Sequence, residues 1–226
     1  MNFPMVKEGL PFVIVPLLIA LVFAFFYLWV GAVAFVLLAA FMAFFFRDPR
    51  RAIPDDENII VSAADGRVTR VEETGEGKLV SVFLSPLNVH INRSPITGKI
   101  TRALYTQGKK IPATSNNASF VNERNSLVIE GEKMTVTCTQ IAGIVARRIV
   151  CWKKAGDELE IGEKFGLIKF SSRTDLLMPK NVEILVKIGD KVVGGETIIA
   201  KITEEFHHEN AEVQRFQENE TADLRS

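Results

Sequence analysis

The chain has 226 residues, 47% of them hydrophobic, with 27 basic side chains balanced by 27 acidic ones and only two cysteines. That length allows one ordinary domain and an appendage, and Cys138 and Cys151, with no C-x-x-C pair, exclude a disulfide-stapled miniprotein and supply no zinc or dithiol motif. The zero balance conceals a segregation: the 38 residues from Gly9 to Phe46 carry no charge and no Ser, Thr, Asn, Gln or His, which excludes a soluble surface there.

As one helix that run would extend about 57 Å at 1.5 Å per residue, nearly twice a bilayer core of about 30 Å. Two short helices, Pro11 to Leu28 and Gly31 to Phe46, are the expected solution, a retained hairpin in preference to a single tilted span. Tyr27 and Trp29 suit an interfacial turn between them. The run is too long for a signal peptide and lacks a small-residue cleavage site. Arg47, Arg50 and Arg51 follow at once, and the positive-inside rule puts them, and the domain behind them, on the cytoplasmic side of a cell membrane. The expected organisation is a membrane anchor over 1–46, a β-rich domain over 47–203 and a tail over 204–226 with seven acids and two bases. The middle segment carries a net charge of +5, suited to an anionic membrane.

Short β-rich runs then follow one another: Ile59 to Val61, Leu79 to Leu84, Lys99 to Tyr105, Ser126 to Ile129, Met134 to Ile141, Phe165 to Phe170 and Val182 to Ile188. Gly, Asp, Asn and Pro separate them at sandwich or barrel spacing. Ala64-Asp65-Gly66-Arg67-Val68-Thr69-Arg70 is echoed 32 residues later by Ile96-Thr97-Gly98-Lys99-Ile100-Thr101-Arg102, which implies two hairpin entries of one design. Val186 to Ala200 has the strand, Gly-Asp turn, strand rhythm of lipoyl and biotinyl domains. By that similarity the expected fold is mainly β, a barrel-sandwich hybrid.

Phosphate-cradling, dinucleotide, metalloprotease and nucleophile-elbow motifs are all missing. Only His90 lies inside the domain, so it is the one candidate for imidazole chemistry; the bland alternative is a satisfied histidine on a strand edge. Its setting, an apolar strand ending in the polar, proline-bounded loop Ser85 to Pro95, is where functional groups concentrate. Asp65 is a second candidate, with an ordinary Asp-Gly turn as its alternative. Phe165 to Asp175 is, on composition, an apolar strand ending in a turn at Ser171-Ser172-Arg173.

Taken together, Phe45-Phe46-Arg47-Asp48-Pro49, Ala64-Asp65-Gly66, Phe83-Leu84-Ser85-Pro86 with His90, Asn122-Glu123-Arg124, Ile141-Ala142-Gly143 with Ala146-Arg147-Arg148, and Phe170-Ser171-Ser172-Arg173 resemble the phosphatidylserine decarboxylase family, in its short membrane-anchored branch. The resemblance implies a proenzyme that cuts itself between Ser171 and Ser172 and turns Ser172 into a covalent pyruvoyl group, with no metal. It implies chains 1–171 and 172–226 that stay associated, and conversion of phosphatidylserine to phosphatidylethanolamine. By position, Ser172 is nucleophile and cofactor precursor, Asp65 supports self-cleavage, and His90 moves protons. Arg147 and Arg148, beside an apolar stretch, are placed to grip the lipid phosphate, with a solvated strand end as the alternative.

Two positions depart from the family pattern. Longer members carry H-x-x-H where this chain has His90-Ile91-Asn92-Arg93, and the residue before the cut, commonly glycine, is Ser171. The competing readings are a membrane-anchored barrel-sandwich adaptor without catalysis, and a decarboxylase of another serine-bearing lipid.

Overall fold

The computed structural model describes residues 5–109, 111–113, 115, 117–144, 148–170 and 172–203. Arg147, Ser171 and the tail from 204 lie outside the described residues.

The uncharged run folds into α1 (Leu10–Phe25) and α2 (Trp29–Phe45), side by side, with the Phe23 and Phe35 rings 5.4 Å apart. Both helices are apolar on every side, and Leu21, Phe25, Val30 and Val33 stand exposed. The turn between them puts Tyr27 at a φ of 58°, and Tyr27 and Trp29 are exposed at the tip. Lys7–Phe25 is long and apolar enough to cross a membrane, and Trp29–Phe45 is a shorter apolar helix of 17 residues. At the base of the hairpin, Val6, Phe45 and Phe46 pack on Val89, Ile91 and Leu167. Trp152 Nε1 donates to Glu8 at 2.7 Å, and Arg47 donates to the Leu87 carbonyl at 2.9 Å.

The rest of the described chain is mainly β. In order it forms β1 (Ile59–Val61), β2 (Gly66–Thr74), β3 (Gly77–Leu84), β4 (Ile91–Arg93), β5 (Gly98–Thr106), the single turn α3 (Ala118–Val121), β6 (Arg124–Glu130) and β7 (Thr135–Ala142). It continues as β8 (Arg148–Cys151), β9 (Glu158–Leu159), β10 (Lys164–Lys169), β11 (Ser172–Met178), β12 (Val182–Ile184), β13 (Lys191–Val192) and β14 (Ile198–Ile202). An eight-stranded antiparallel sheet runs β13-β2-β3-β11-β7-β6-β5-β9, and three-stranded sheets β1-β14-β12 and β4-β10-β8 accompany it. β6 and β7 alternate inward and outward, sending Leu127, Ile129, Val136 and Cys138 into one core with Val80, Leu84 and Leu176.

The sequence echo is a structural duplication. Gly66 and Gly98 each open a strand where backbones nearly touch: a Cβ would lie 2.1 Å from the Phe83 carbonyl oxygen or 2.4 Å from that of Glu130. Each strand then bulges at the same repeat position, between Val68 and Arg70 and between Ile100 and Arg102. The bulge carbonyls accept from Gly189 N–H at 2.8 Å and Gly156 N–H at 2.7 Å, in two Gly-Asp turns. Each turn leads into a two-residue strand, β13 beside β2 and β9 beside β5. Residues 59–74 with 187–202 therefore repeat in 91–106 with 154–169.

Two expected elements differ. Val182 to Ile188 is strand only to Ile184, because Lys187 to Asp190 is claimed by one of these turns, closed by Lys187 N–H to Asp190 Oδ2 at 2.9 Å. Ser172 to Asp175 is not a turn. It begins β11, a central strand buried along both faces, despite polar side chains at its first four positions.

Candidate active site

β10 runs out at Lys169, the chain bends at Phe170 with φ 65°, and β11 begins at Ser172. Left-handed backbone is unfavourable for a bulky aromatic residue and persists only where packing enforces it. Here the Phe170 ring stacks on Phe45 of α2 at 4.6 Å and meets Phe12 of α1 edge-on at 6.2 Å. Ser172 pairs with Leu84 on β3 and with Ala142 on β7, so the strand it opens is held on both sides. Its side chain is fully buried, and Oγ has no hydrogen-bond partner among the described residues.

His90 also packs on Phe45, with ring centroids 4.3 Å apart. The loop before it is shaped by Asn88, whose side-chain oxygen accepts from Ser85 N–H at 2.9 Å and from Ser85 Oγ at 2.6 Å. The Asn88 carbonyl lies 3.0 Å from His90 Nδ1. A carbonyl only accepts, so Nδ1 carries the proton and Nε2 presents its lone pair. Nε2 is buried with no partner among the described residues, as Ser172 Oγ is. Burial is the main force lowering the His90 pKa, to about 4; the Arg47 charge adds to this, and the Asn88 bond opposes it. At neutral pH the imidazole is thus uncharged and able to accept a proton.

Asp65 does not join them. Its carboxylate takes both oxygens to Arg51, at 2.8 and 2.9 Å, and accepts from Gly194 N–H at 2.8 Å. Its influence arrives as charge: Asp65 favours the charged form of Arg47, and Arg47 in turn acts on His90. Arg93, three residues after His90, is buried. It ion-pairs with Asp48 at 3.0 Å and donates to the Gly162 carbonyl at 3.0 Å, while Lys164 reaches the other Asp48 oxygen at 2.6 Å. Arg148 is exposed at the start of β8 and faces Lys169 directly across the strands. Like charges opposite one another repel, so this end of the sheet favours an anion.

Sequence reasoning missed the far face of β11. Arg173, fully buried, ion-pairs with Asp175 at 2.9 Å, donates to the carbonyls of Ala113 at 3.0 Å and Ser115 at 3.2 Å, and bonds Ser119 Oγ. These contacts fasten the 107–122 loop over the strand. Asn122, which offered no role by itself, donates at 2.7 Å to the carbonyl of Ala142, the residue opposite Ser172. Beneath the strand a buried amide chain runs from Thr174 through Asn92 and Gln140 to Asn125, with links of 2.9, 2.9 and 3.0 Å. Among the described residues no group of three or more His, Cys, Asp or Glu is arranged to hold a metal.

Fold and site together define a mainly β protein whose apolar helical hairpin closes over a sequestered serine and a neutral histidine. Residues 38–200 match the phosphatidylserine decarboxylase family. The chain is 45% identical over 207 residues to the phosphatidylserine decarboxylase proenzyme of Geotalea uraniireducens (strain Rf4), covering 88% of this chain and 96% of that one. Against the proenzyme of Wolbachia pipientis wMel it is 42% identical over 211 residues, covering 88% and 91%. Against that of Desulfotalea psychrophila (strain LSv54 / DSM 12343) it is 39% identical over 209 residues, covering 88% and 97%. The chain belongs to the phosphatidylserine decarboxylase family.

Proposed function

We propose that this chain is a proenzyme that severs itself between Ser171 and Ser172 and then converts phosphatidylserine to phosphatidylethanolamine. The observation that carries the reading is the pair of buried groups with no hydrogen-bond partner among the described residues, Ser172 Oγ and His90 Nε2, with the Phe45 ring in contact with both His90 and Phe170. Buried polar groups are normally satisfied, and exceptions mark chemistry.

In this reading His90 Nε2 takes the Ser172 hydroxyl proton, and Oγ attacks the carbonyl carbon of Ser171, so that the peptide bond becomes an ester. Loss of the Ser172 α-proton expels residue 171 as a carboxylate and leaves dehydroalanine, which water converts to a ketone with release of ammonia. A pyruvoyl group formed there supplies an electrophilic carbonyl that binds the substrate amine and accepts electrons as carbon dioxide leaves. The site fits such a group: Ser172 heads a strand paired on both sides, so its position is kept when the preceding bond is cut.

The protein's residues then bind and orient. Arg148, with Arg147 beside it in the chain and Lys169 opposite, takes the lipid phosphate. His90 holds the proton returned to the substrate carbon, and Asp65, paired with Arg51, places a negative charge near Arg47 that favours its charged form. The hairpin lies in the membrane with the catalytic domain on the cytoplasmic side, a reading supported by its unbroken apolar surface and the arginines after it. The duplicated strand, Gly-Asp turn and strand units support a barrel-sandwich hybrid for the β domain.

The test is intact-mass analysis of purified protein. A fragment 172–226 with a borohydride-sensitive keto terminus, and carbon dioxide release from phosphatidylserine, are expected. An undivided chain with a native serine at 172 overturns the proposal, as an adaptor would require. Activity only on a different serine-bearing lipid overturns the substrate assignment.

A further inference from the structure

Phe170, the residue before the scission pair, packs where the helical hairpin meets the β domain, and one side chain makes that junction. Phe45, the last residue of α2, is almost fully buried although Trp29, Phe41 and Phe44 of the same helix are exposed. One face of its ring lies on Phe170, 4.6 Å away and nearly parallel at 23°, and His90 lies 4.3 Å away. Phe12 of α1 and Phe46 complete the enclosure of Phe170, at 6.2 and 6.3 Å. Phe170 is the residue before the scission pair and one of two described non-glycine residues with positive φ. The other, Tyr27, occupies the interhelical turn, where such a conformation has a plain local reason.

We infer that Phe45 is a positioning residue for self-cleavage, holding Phe170 in its left-handed conformation so that docking of the helical hairpin aligns the Ser171 carbonyl with the Ser172 hydroxyl. The inference rests on the scission proposed above. Nothing local stabilises an aromatic residue in that conformation: it has no Asn or Asp side chain to bond its own backbone and no glycine freedom. The surrounding rings must therefore supply what the backbone resists. A hairpin that fails to dock releases Phe170 to ordinary backbone angles.

The experiment synthesises the full chain in a cell-free system with phosphatidylglycerol–phosphatidylcholine vesicles and follows conversion to chains 1–171 and 172–226 after a labelling pulse. Phe45→Ala is expected to slow scission about tenfold or more, the scale set by one strained residue. Phe170→Gly removes the need for the clamp, because glycine adopts this conformation freely. The double variant Phe45→Ala/Phe170→Gly should therefore cleave within about threefold of Phe170→Gly alone. A role for Phe45 in general stability would instead carry its full penalty into the glycine background. If Phe45→Ala is protease-sensitive throughout, Phe45→Leu keeps apolar volume without the ring face and should still slow scission.

Scission of Phe45→Leu and Phe45→Ala at the parent rate overturns the inference, and so does a penalty undiminished beside Phe170→Gly. Ser172→Ala separates this from the parent reading. Continued cutting at 171–172 without that hydroxyl sinks the scission mechanism itself, whereas Ser172-dependent cutting indifferent to Phe45 sinks only the clamp.

Discussion

Asp65 and Thr97 do the same work in the two halves of the duplicated fold: Asp65 accepts the N–H of Gly194 at 2.8 Å, and Thr97 Oγ accepts the N–H of Ile161 at 3.0 Å. The hydrogen bond is therefore a feature of the repeat, and what distinguishes Asp65 is its charge, paired with a largely buried Arg51. Asp65→Thr should keep the turn but strand Arg51, costing about 3 kcal/mol or more in stability. Adding Arg51→Met should recover most of that loss in denaturant unfolding. Self-cleavage should stay slow in the double variant if the Asp65 charge serves the reaction, and return with stability if the residue serves only the fold.

The buried His90 makes stability depend on pH. Its folded pKa, about 4, lies below the ordinary value of 6.5, so the unfolded chain binds the proton first as pH falls. Stability is complete above about 6.5 and declines as pH falls from there through 4, by roughly 3 kcal/mol at the lower end. The Arg47 charge also opposes the imidazolium, which raises this cost. Denaturant titrations of Ser172→Ala precursor, with and without His90→Asn, should show that the second change flattens this decline.

Arg173 should matter more than its motif position indicates. Removing it leaves Asp175 buried without its cation and frees the 107–122 loop. Arg173→Ala should cost about 3–5 kcal/mol. Limited proteolysis should then cut within the loop before it cuts any strand.

The proposed cut would leave a smaller chain holding β11 to β14, in which β11 pairs with β3 and β7, β13 with β2 and β14 with β1 of the larger chain, while β12 pairs with β14. Both cysteines precede the proposed cut, so the two chains would hold together by non-covalent contacts. They should co-elute in native size-exclusion chromatography with or without reductant, and separate only in denaturant.

Charge at the end of β8 and β10 predicts a binding defect. Arg148→Gln with Lys169→Gln should raise KM for phosphatidylserine vesicles severalfold and leave kcat within about twofold, since the phosphate is bound alike in ground and transition states. A fall in kcat at unchanged KM contradicts that assignment.

The sequence by itself determined what depends on local pattern. The uncharged run specified apolar helices, because no other structure hides so many unbroken apolar residues. Short β-rich runs between Gly, Asp, Asn and Pro located β3, β5, β6 and β7, and the repeat of Gly66 and Gly98 was visible 32 residues apart because two close backbone approaches both exclude a side chain. Only the tertiary structure decided the rest. Ser172-Arg173-Thr174-Asp175 reads as a turn because its charges look solvated, yet it is the middle of a sheet, since Arg173 and Asp175 satisfy each other under a loop about 60 residues away in the chain. Two of the arginines after the hairpin, which composition assigns to the membrane surface, are committed to the Leu87 carbonyl and to Asp65. His90, Phe45 and Phe170 lie far apart along the chain, and their stacking follows from how a helix end docks on a sheet, a long-range packing outcome that no local spacing encodes.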